Sequence, residues 1–137
     1  MRRFKPFRGQ MSDSFRAAIF IILSGGFQDA YTYCCRGEVF ANAQTGNIVL
    51  FGANIAEGNW LRAAEYFLPI LAFALGVVAA AIVKRRDKKR QTDINIHWRQ
   101  IVVLVEIVLL IAAAFLPQSM NTTVNIMISF ICAMQVE

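Results

Sequence analysis

Residues 25–52 read GGFQDAYTYCCRGEVFANAQTGNIVLFG, placing an aspartate, a Thr-Gly-Asn triplet and several glycines inside an otherwise strongly apolar chain. Amide and ionisable side chains cost roughly 2–3 kcal/mol or more at bilayer depth, so they line a cavity, pack between helices or accompany a backbone break. This stretch decides the fold and is where function is to be sought.

The surrounding composition points away from a soluble domain. The chain of 137 residues is 57% hydrophobic and only 17% charged, and its long apolar runs lack the polar faces that surface helices of soluble proteins carry. Its net charge of +5 is unevenly spread. One basic cluster is Arg2, Arg3, Lys5, Arg8 and Arg16; the other is Lys84, Arg85, Arg86, Lys88, Lys89, Arg90 and Arg99. Both flank apolar segments, as at cytoplasmic ends of membrane spans, which argues against nucleic acid as a partner.

Five apolar segments follow a basic tail. Residues 1–15 form a basic tail, expected to be cytoplasmic and retained, because Gln28 and Asp29 interrupt the next run and no clean cleavage site follows. Residues 17–35, between Arg16 and Arg36, reach ~28 Å as a helix, enough to cross the hydrocarbon core. Tyr31 and Tyr33 are expected at the far interface. Residues 39–56 are long enough to span but hold Asn42, Gln44, Thr45, Asn47 and Asn54. A polar turn, 57–62, carries Trp60 as an interface anchor, and 66–83 is a clear span ending in Lys84-Arg85-Arg86. After a charged, aqueous loop (84–100), 101–116 forms another span closed by Pro117, and 124–136 the last.

The expected fold is an all-α, polytopic helical membrane protein with about four transmembrane helices plus a broken or re-entrant Thr-Gly-Asn helix. If both basic clusters are cytoplasmic, an even number of crossings separates them, and 17–35 with 66–83 supply two. Residues 39–56 then enter and return on one face or lie broken in the bundle; a full crossing would leave one cluster outside. Irregular backbone at such depth needs partners for its N–H and C=O groups, which Asn42, Gln44, Thr45 and Asn47 are placed to provide.

The polar membrane site expected from these residues is Asp29, Asn42, Gln44, Thr45, Gly46 and Asn47. Asp29 reads equally as a proton or cation site and as a structural acid fixing helix register. Glu106, among Val, Leu and Ile, reads as a structural or oligomer contact. Helix packing is expected at Gly25, Gly26, Gly52, Ala72, Gly76 and Ala80, since close approach through small residues drives association in lipid. The stripe of Ala72, Gly76 and Ala80 is expected to seat on another helix, with the Thr45-Gly46-Asn47 element as a candidate partner.

Catalysis is not expected. The sequence has no Ser/His/Asp arrangement, phosphate-binding glycine loop, HExxH or cysteine–histidine cluster, and one intramembrane aspartate does not make an aspartyl protease. Cys34 and Cys35 are adjacent, a poor geometry for a bridge, and Cys132 lies in an apolar run, so the cysteines read as small hydrophobic residues. His97 stands without ligand-like neighbours. No metal or cofactor is expected.

Gly26-x-x-Asp29-Ala30, Gly37-x-Val39-Phe40 and Thr45-Gly46-Asn47 before an apolar run and Gly52 resemble the YoaK family, as do Phe73-x-x-Gly76 and the closing Ser129-Phe130 to Met134-Gln135. The resemblance implies a bacterial multi-pass protein of the inner membrane, built on a domain of unknown function, with a cytoplasmic N-terminus and no established substrate. Family members continue further. Residues 16–137 are therefore expected to form one membrane domain, a first repeat over 16–117 and the start of a second over 118–137. Paired repeats are a transporter design, so a single repeat is expected to work as a homo-oligomer in the bilayer. Two functions are carried forward: a small-solute or ion permease, and a non-transporting scaffold, regulator or inactive truncated fragment.

Overall fold

The computed structural model describes residues 15–89 and 98–136, and all the regular structure among them is helical. The chain forms α1 (Phe15–Cys35), α2 (Gln44–Ala56), α3 (Trp60–Lys89), α4 (Trp98–Phe115), a short 3-10 turn (Gln118–Met120) and α5 (Asn121–Val136). Most of the basic tail (1–15), His97 and part of the 84–100 loop lie outside the described residues.

Among the described residues, one helix, Trp60–Arg86, is long and apolar enough to cross a membrane by length and composition; Val103–Phe115 is apolar but shorter. The expectation of about four such helices is therefore not met on that measure. Gln28, Asp29 and two tyrosines dilute the apolarity of α1, and α2, at 13 residues, is well short of the ~20 that a span requires.

Three contacts fix the directions of the helices. Arg62 at the start of α3 pairs with Glu38 just beyond α1, at 3.1 Å. Arg36 bonds to Pro117 and Asn121 in the α4–α5 turn. The C-termini of α1, α2 and α4 and the N-termini of α3 and α5 therefore share one end of the bundle. Arg85 and Arg86 lie at the opposite end, with the start of α1.

The seat of α3 is α5. A Cβ placed on Gly76 would lie 2.5 Å from the Phe130 carbonyl oxygen and 2.7 Å from the Ala133 methyl, so only glycine lets the two backbones come this close. Ala72 and Ala80, one turn to either side, are buried. The stripe therefore meets α5, not the Thr45-Gly46-Asn47 element; α2 reaches α3 elsewhere, through Phe51 stacked obliquely on Phe67 at 5.4 Å. Pro69, also buried in α3, has no N–H to give to the helix ladder.

The core is small and partly polar. Ala41, Ala113, Val124, Ile128 and Cys132 form its apolar centre, with Tyr31, Phe73, Leu110 and Leu116 against it. Buried alongside are Gln28, Thr32, Arg36, Asn47, Glu106, Asn125 and Ser129. Outside, Phe20 is 73% exposed, Ile22 72%, Leu104 63% and Val108 57%. Large apolar side chains thus stand outside while several polar ones lie inside.

Candidate functional site

Between α1 and α2 the chain turns back along α1. Gly37 (φ 89°) and Glu38 (φ 61°) adopt the left-handed conformation, and the Glu38 N–H returns to the Tyr33 carbonyl at 3.1 Å. Left-handed geometry is natural for Gly37 at a helix C-terminus but costs Glu38, which has a Cβ. Residues 39–43 then run inward without regular structure, burying Val39 and Ala41. Asn42 arrives beside Gly25, where a Cβ would meet its amide nitrogen at 2.7 Å. That point is ~15 Å from the end of α1 at 1.5 Å per residue. From there α2 carries the chain back to the end it left, where Glu38 and Arg62 pair.

The sequence-derived site residues hold this excursion together. Asp29 accepts the Asn42 N–H at 2.7 Å and the Ala43 N–H at 3.3 Å through one oxygen. Ala43, the N-cap of α2, has no cap from its own side chain, so a carboxylate on another helix meets the positive end of α2. Asn47 accepts from the Phe40 N–H at 3.0 Å and donates to the Phe40 carbonyl at 2.6 Å, replacing the backbone partners that an irregular strand lacks. Its amide also donates to Gln44 Oε1 at 3.0 Å, while Gln44 donates to the Ala41 carbonyl at 2.7 Å. The Phe40 ring stacks on Tyr33 at 4.7 Å and covers Gly46, where a Cβ would lie 2.8 Å from the ring. Asp29, Asn42, Gln44, Gly46 and Asn47 are thus brought together, whereas Thr45 is exposed. Of the glycines expected at helix contacts, Gly25 meets Asn42, but Gly26 and Gly52 face open space among the described residues.

A second polar assembly joins α1, α4 and α5. Arg36 is 5% exposed, not the aqueous end of a span as its place beside an apolar run suggests. Its guanidinium donates to Tyr31 Oη at 2.7 Å, the Ala113 carbonyl at 2.9 Å, the Pro117 carbonyl at 3.3 Å and Asn121 Oδ1 at 3.4 Å. It therefore caps the C-terminus of α4, where carbonyls lack intrahelical partners and the helix dipole favours a cation. Tyr31 faces this guanidinium and the core, not an interface. Asn125 on α5 closes the group by donating to the Arg36 carbonyl at 2.8 Å.

Two turns deeper, Gln28 donates to Ser24 Oγ at 3.1 Å and to Glu106 Oε1 at 3.0 Å, and its oxygen accepts the Cys132 thiol. The ties of Arg36 to Asn125 and of Gln28 to Cys132 bracket an antiparallel seam, with Thr32 and Ser129 at matching levels between them. Asn125 Oδ1 and Ser129 Oγ are buried and have no hydrogen-bond partner among the described residues. From sequence, Gln28, Arg36 and Ser129 were given no site role, and Thr32 and Asn125 were passed over. Their signal is a spacing of four: 24, 28 and 32 on α1 with 36 just beyond it, and 121, 125 and 129 on α5, one face of each helix.

Cys34 and Cys35 are exposed, Cys132 is buried, and all three are free. Among the described residues no three or more His, Cys, Asp or Glu side chains gather as metal ligands would.

A family model described as protein of unknown function (DUF1275) matches residues 17–137, and the chain belongs to that family. No curated protein and no solved structure matches it.

Proposed function

We propose that this chain is a non-catalytic, YoaK-type multi-pass protein of the bacterial inner membrane that passes a small solute or ion. The observation that carries the membrane reading is the reversed polarity: Thr32, Asn47 and Ser129 are 0% exposed while Phe20, Ile22 and Leu104 stand outside. So large an apolar surface calls for lipid or a partner. In the apolar window of Trp60–Arg86 only 28% is buried, against the largely buried core helix of a soluble protein. In this reading α1, α3, α4 and α5 cross, the excursion of residues 36–59 is re-entrant, and Arg85 and Arg86 lie on the cytoplasmic side with the N-terminus.

Support for passage comes from α2, whose N-terminus lies at depth beside a carboxylate. Half-helices that end within the bilayer, with irregular backbone sheltered by protein, recur where membrane proteins bind solutes. Purified chain in proteoliposomes, screened for uptake of ions and small metabolites, tests it. Asp29→Asn or Asn47→Ala should remove uptake while the chain still inserts. Uptake no higher than in empty vesicles for every solute defeats the transport reading.

One observation favours a second reading, a membrane scaffold or regulator. The polar groups of Asp29, Gln44 and Asn47 are already engaged inside the protein. If that reading holds, the same substitutions change thermal stability and partner recovery, and no flux exists to be lost.

A further inference from the structure

The seam between α1 and α5 contains something the Thr-Gly-Asn excursion does not: buried polar atoms with unused bonding capacity. Asn125 is 2% exposed and Ser129 0%, and neither Asn125 Oδ1 nor Ser129 Oγ has a partner among the described residues. Unmet polar atoms in a protein interior are costly and are ordinarily served by a guest or by water. Asn125 faces α1, because its Nδ2 donates to the Arg36 carbonyl, and Ser129 follows one turn later on α5, between Asn125 and the Cys132 that bonds Gln28.

We infer that this seam binds a small neutral hydroxyl compound, water or a short polyol, between Asn125 Oδ1 and Ser129 Oγ. The inference rests on the solute-passage reading above and gives it a route and a substrate class. Asn125 Oδ1 can only accept, since the Nδ2 of that amide is the donor to Arg36. Ser129 Oγ can both donate and accept. The two residues are one helical turn apart, ~5–6 Å between Cβ atoms, so one guest hydroxyl group can donate to the amide oxygen and accept from the serine. The Thr32 hydroxyl, at the same level on α1, donates to the Gln28 carbonyl at 3.0 Å and keeps its lone pairs for a guest.

Charge at the two ends of the seam selects neutrality. The Arg36 guanidinium lies toward the α4–α5 turn and repels cations. The Glu106 carboxyl, held by Gln28 at the inner end, disfavours anions.

The test uses the full chain in proteoliposomes and stopped-flow light scattering, with one arm for water under an impermeant osmolyte and one for glycerol. Wild-type vesicles should equilibrate faster than protein-free ones in at least one arm, and the faster arm identifies the guest as water or polyol. Ser129→Ala, which removes one hydroxyl and introduces a good helix former, should slow that arm about tenfold with unchanged thermal unfolding. Asn125→Leu should slow the same arm, with a lowered melting temperature because the bond to the Arg36 carbonyl is lost as well. Hydroxyl permeation equal in wild type and both variants, or wild-type vesicles that carry ions but neither water nor glycerol, overturns the seam assignment and leaves the transport reading standing. No flux of any solute by the wild type overturns both.

Discussion

Asp29 on α1 caps a helix to which it does not belong: one of its oxygens receives the backbone N–H groups of Asn42 and Ala43 at the entrance to α2. A helix that starts at Ala43 with no cap of its own depends on this carboxylate. Asp29→Ala should therefore cost about 1–2 kcal/mol, the usual worth of an N-cap, and Asp29→Asn, which keeps an accepting oxygen, distinctly less. Thermal unfolding in detergent measures both. Equal losses for the two variants would show that charge, not the accepted hydrogen bonds, is what Asp29 contributes.

Arg36 makes the equivalent commitment to α4. Arg36→Lys keeps the charge but not the planar fork that reaches Ala113, Pro117 and Asn121 together. A loss of about 1.5–3 kcal/mol is expected, the worth of hydrogen bonds to a charged group, although the Ala113 and Pro117 carbonyls keep the N–H groups of Leu116 and Met120. A lysine variant that melts with wild type would mean that the charge alone suffices at the end of α4.

Gly76 and Gly52 should respond in opposite directions. Gly76→Ala drives a methyl into the Phe130 carbonyl and should cost about 1–3 kcal/mol, through displacement of α5 from α3. Gly52→Ala meets nothing among the described residues and should add about 0.5–1 kcal/mol, the difference in helix propensity. Paired melting curves check the contrast, and a destabilised Gly52 variant would point to a neighbour beyond the described residues.

Glu38 sets backbone strain against an ion pair. Its φ of 61° costs about 1–2 kcal/mol for a residue with a Cβ. Its pair with Arg62 has side chains 67% and 34% exposed and contributes at most about 1 kcal/mol. Glu38→Gly is therefore expected to melt at or slightly above the wild-type temperature, and a clear fall would show the pair to be the stronger influence.

The bundle ends can be assigned chemically. Cysteines introduced at Glu57 and Arg85 should react with an impermeant thiol reagent from opposite sides of inverted and right-side-out vesicles, Arg85 from the cytoplasmic side. Labelling of both from one side would exclude the orientation proposed above. Cys34 and Cys35, being exposed, must first be replaced.

The all-helical class was legible because the apolar runs have helical length and no strand alternation, and the boundaries at Cys35 and Pro117 coincide with obvious polar or proline punctuation, whereas α3 (Trp60–Lys89) begins inside the stretch read as a polar turn and runs on into the one read as an aqueous loop. The irregular stretch before α2 was legible for a chemical reason: Gly37, Asn42 and Asn47 are the residues that a reversed, buried backbone needs. The seam was not. Gln28, Thr32 and Ser129 each look like an isolated blemish in an apolar run, and only the recurrence every fourth position on two separate helices gives them a common face. Arg36 misled because an arginine after a long apolar segment ordinarily marks water, whereas its partners, contributed by α4 and α5, cannot be seen from local sequence. For the same reason the stripe through Gly76 declared a contact without declaring with which helix.

Those distant partners have a bearing on biogenesis. Gln28 and Arg36 find their hydrogen-bond partners 77 to 104 residues further along, at Ala113, Pro117, Asn121, Glu106 and Cys132. While the ribosome is still making α3, the first helix lacks the partners that Gln28 and Arg36 will have. Its final rotation is dictated only when α4 and α5 have emerged. Folding of this protein is accordingly a matter of α4 and α5 reaching back to lock α1.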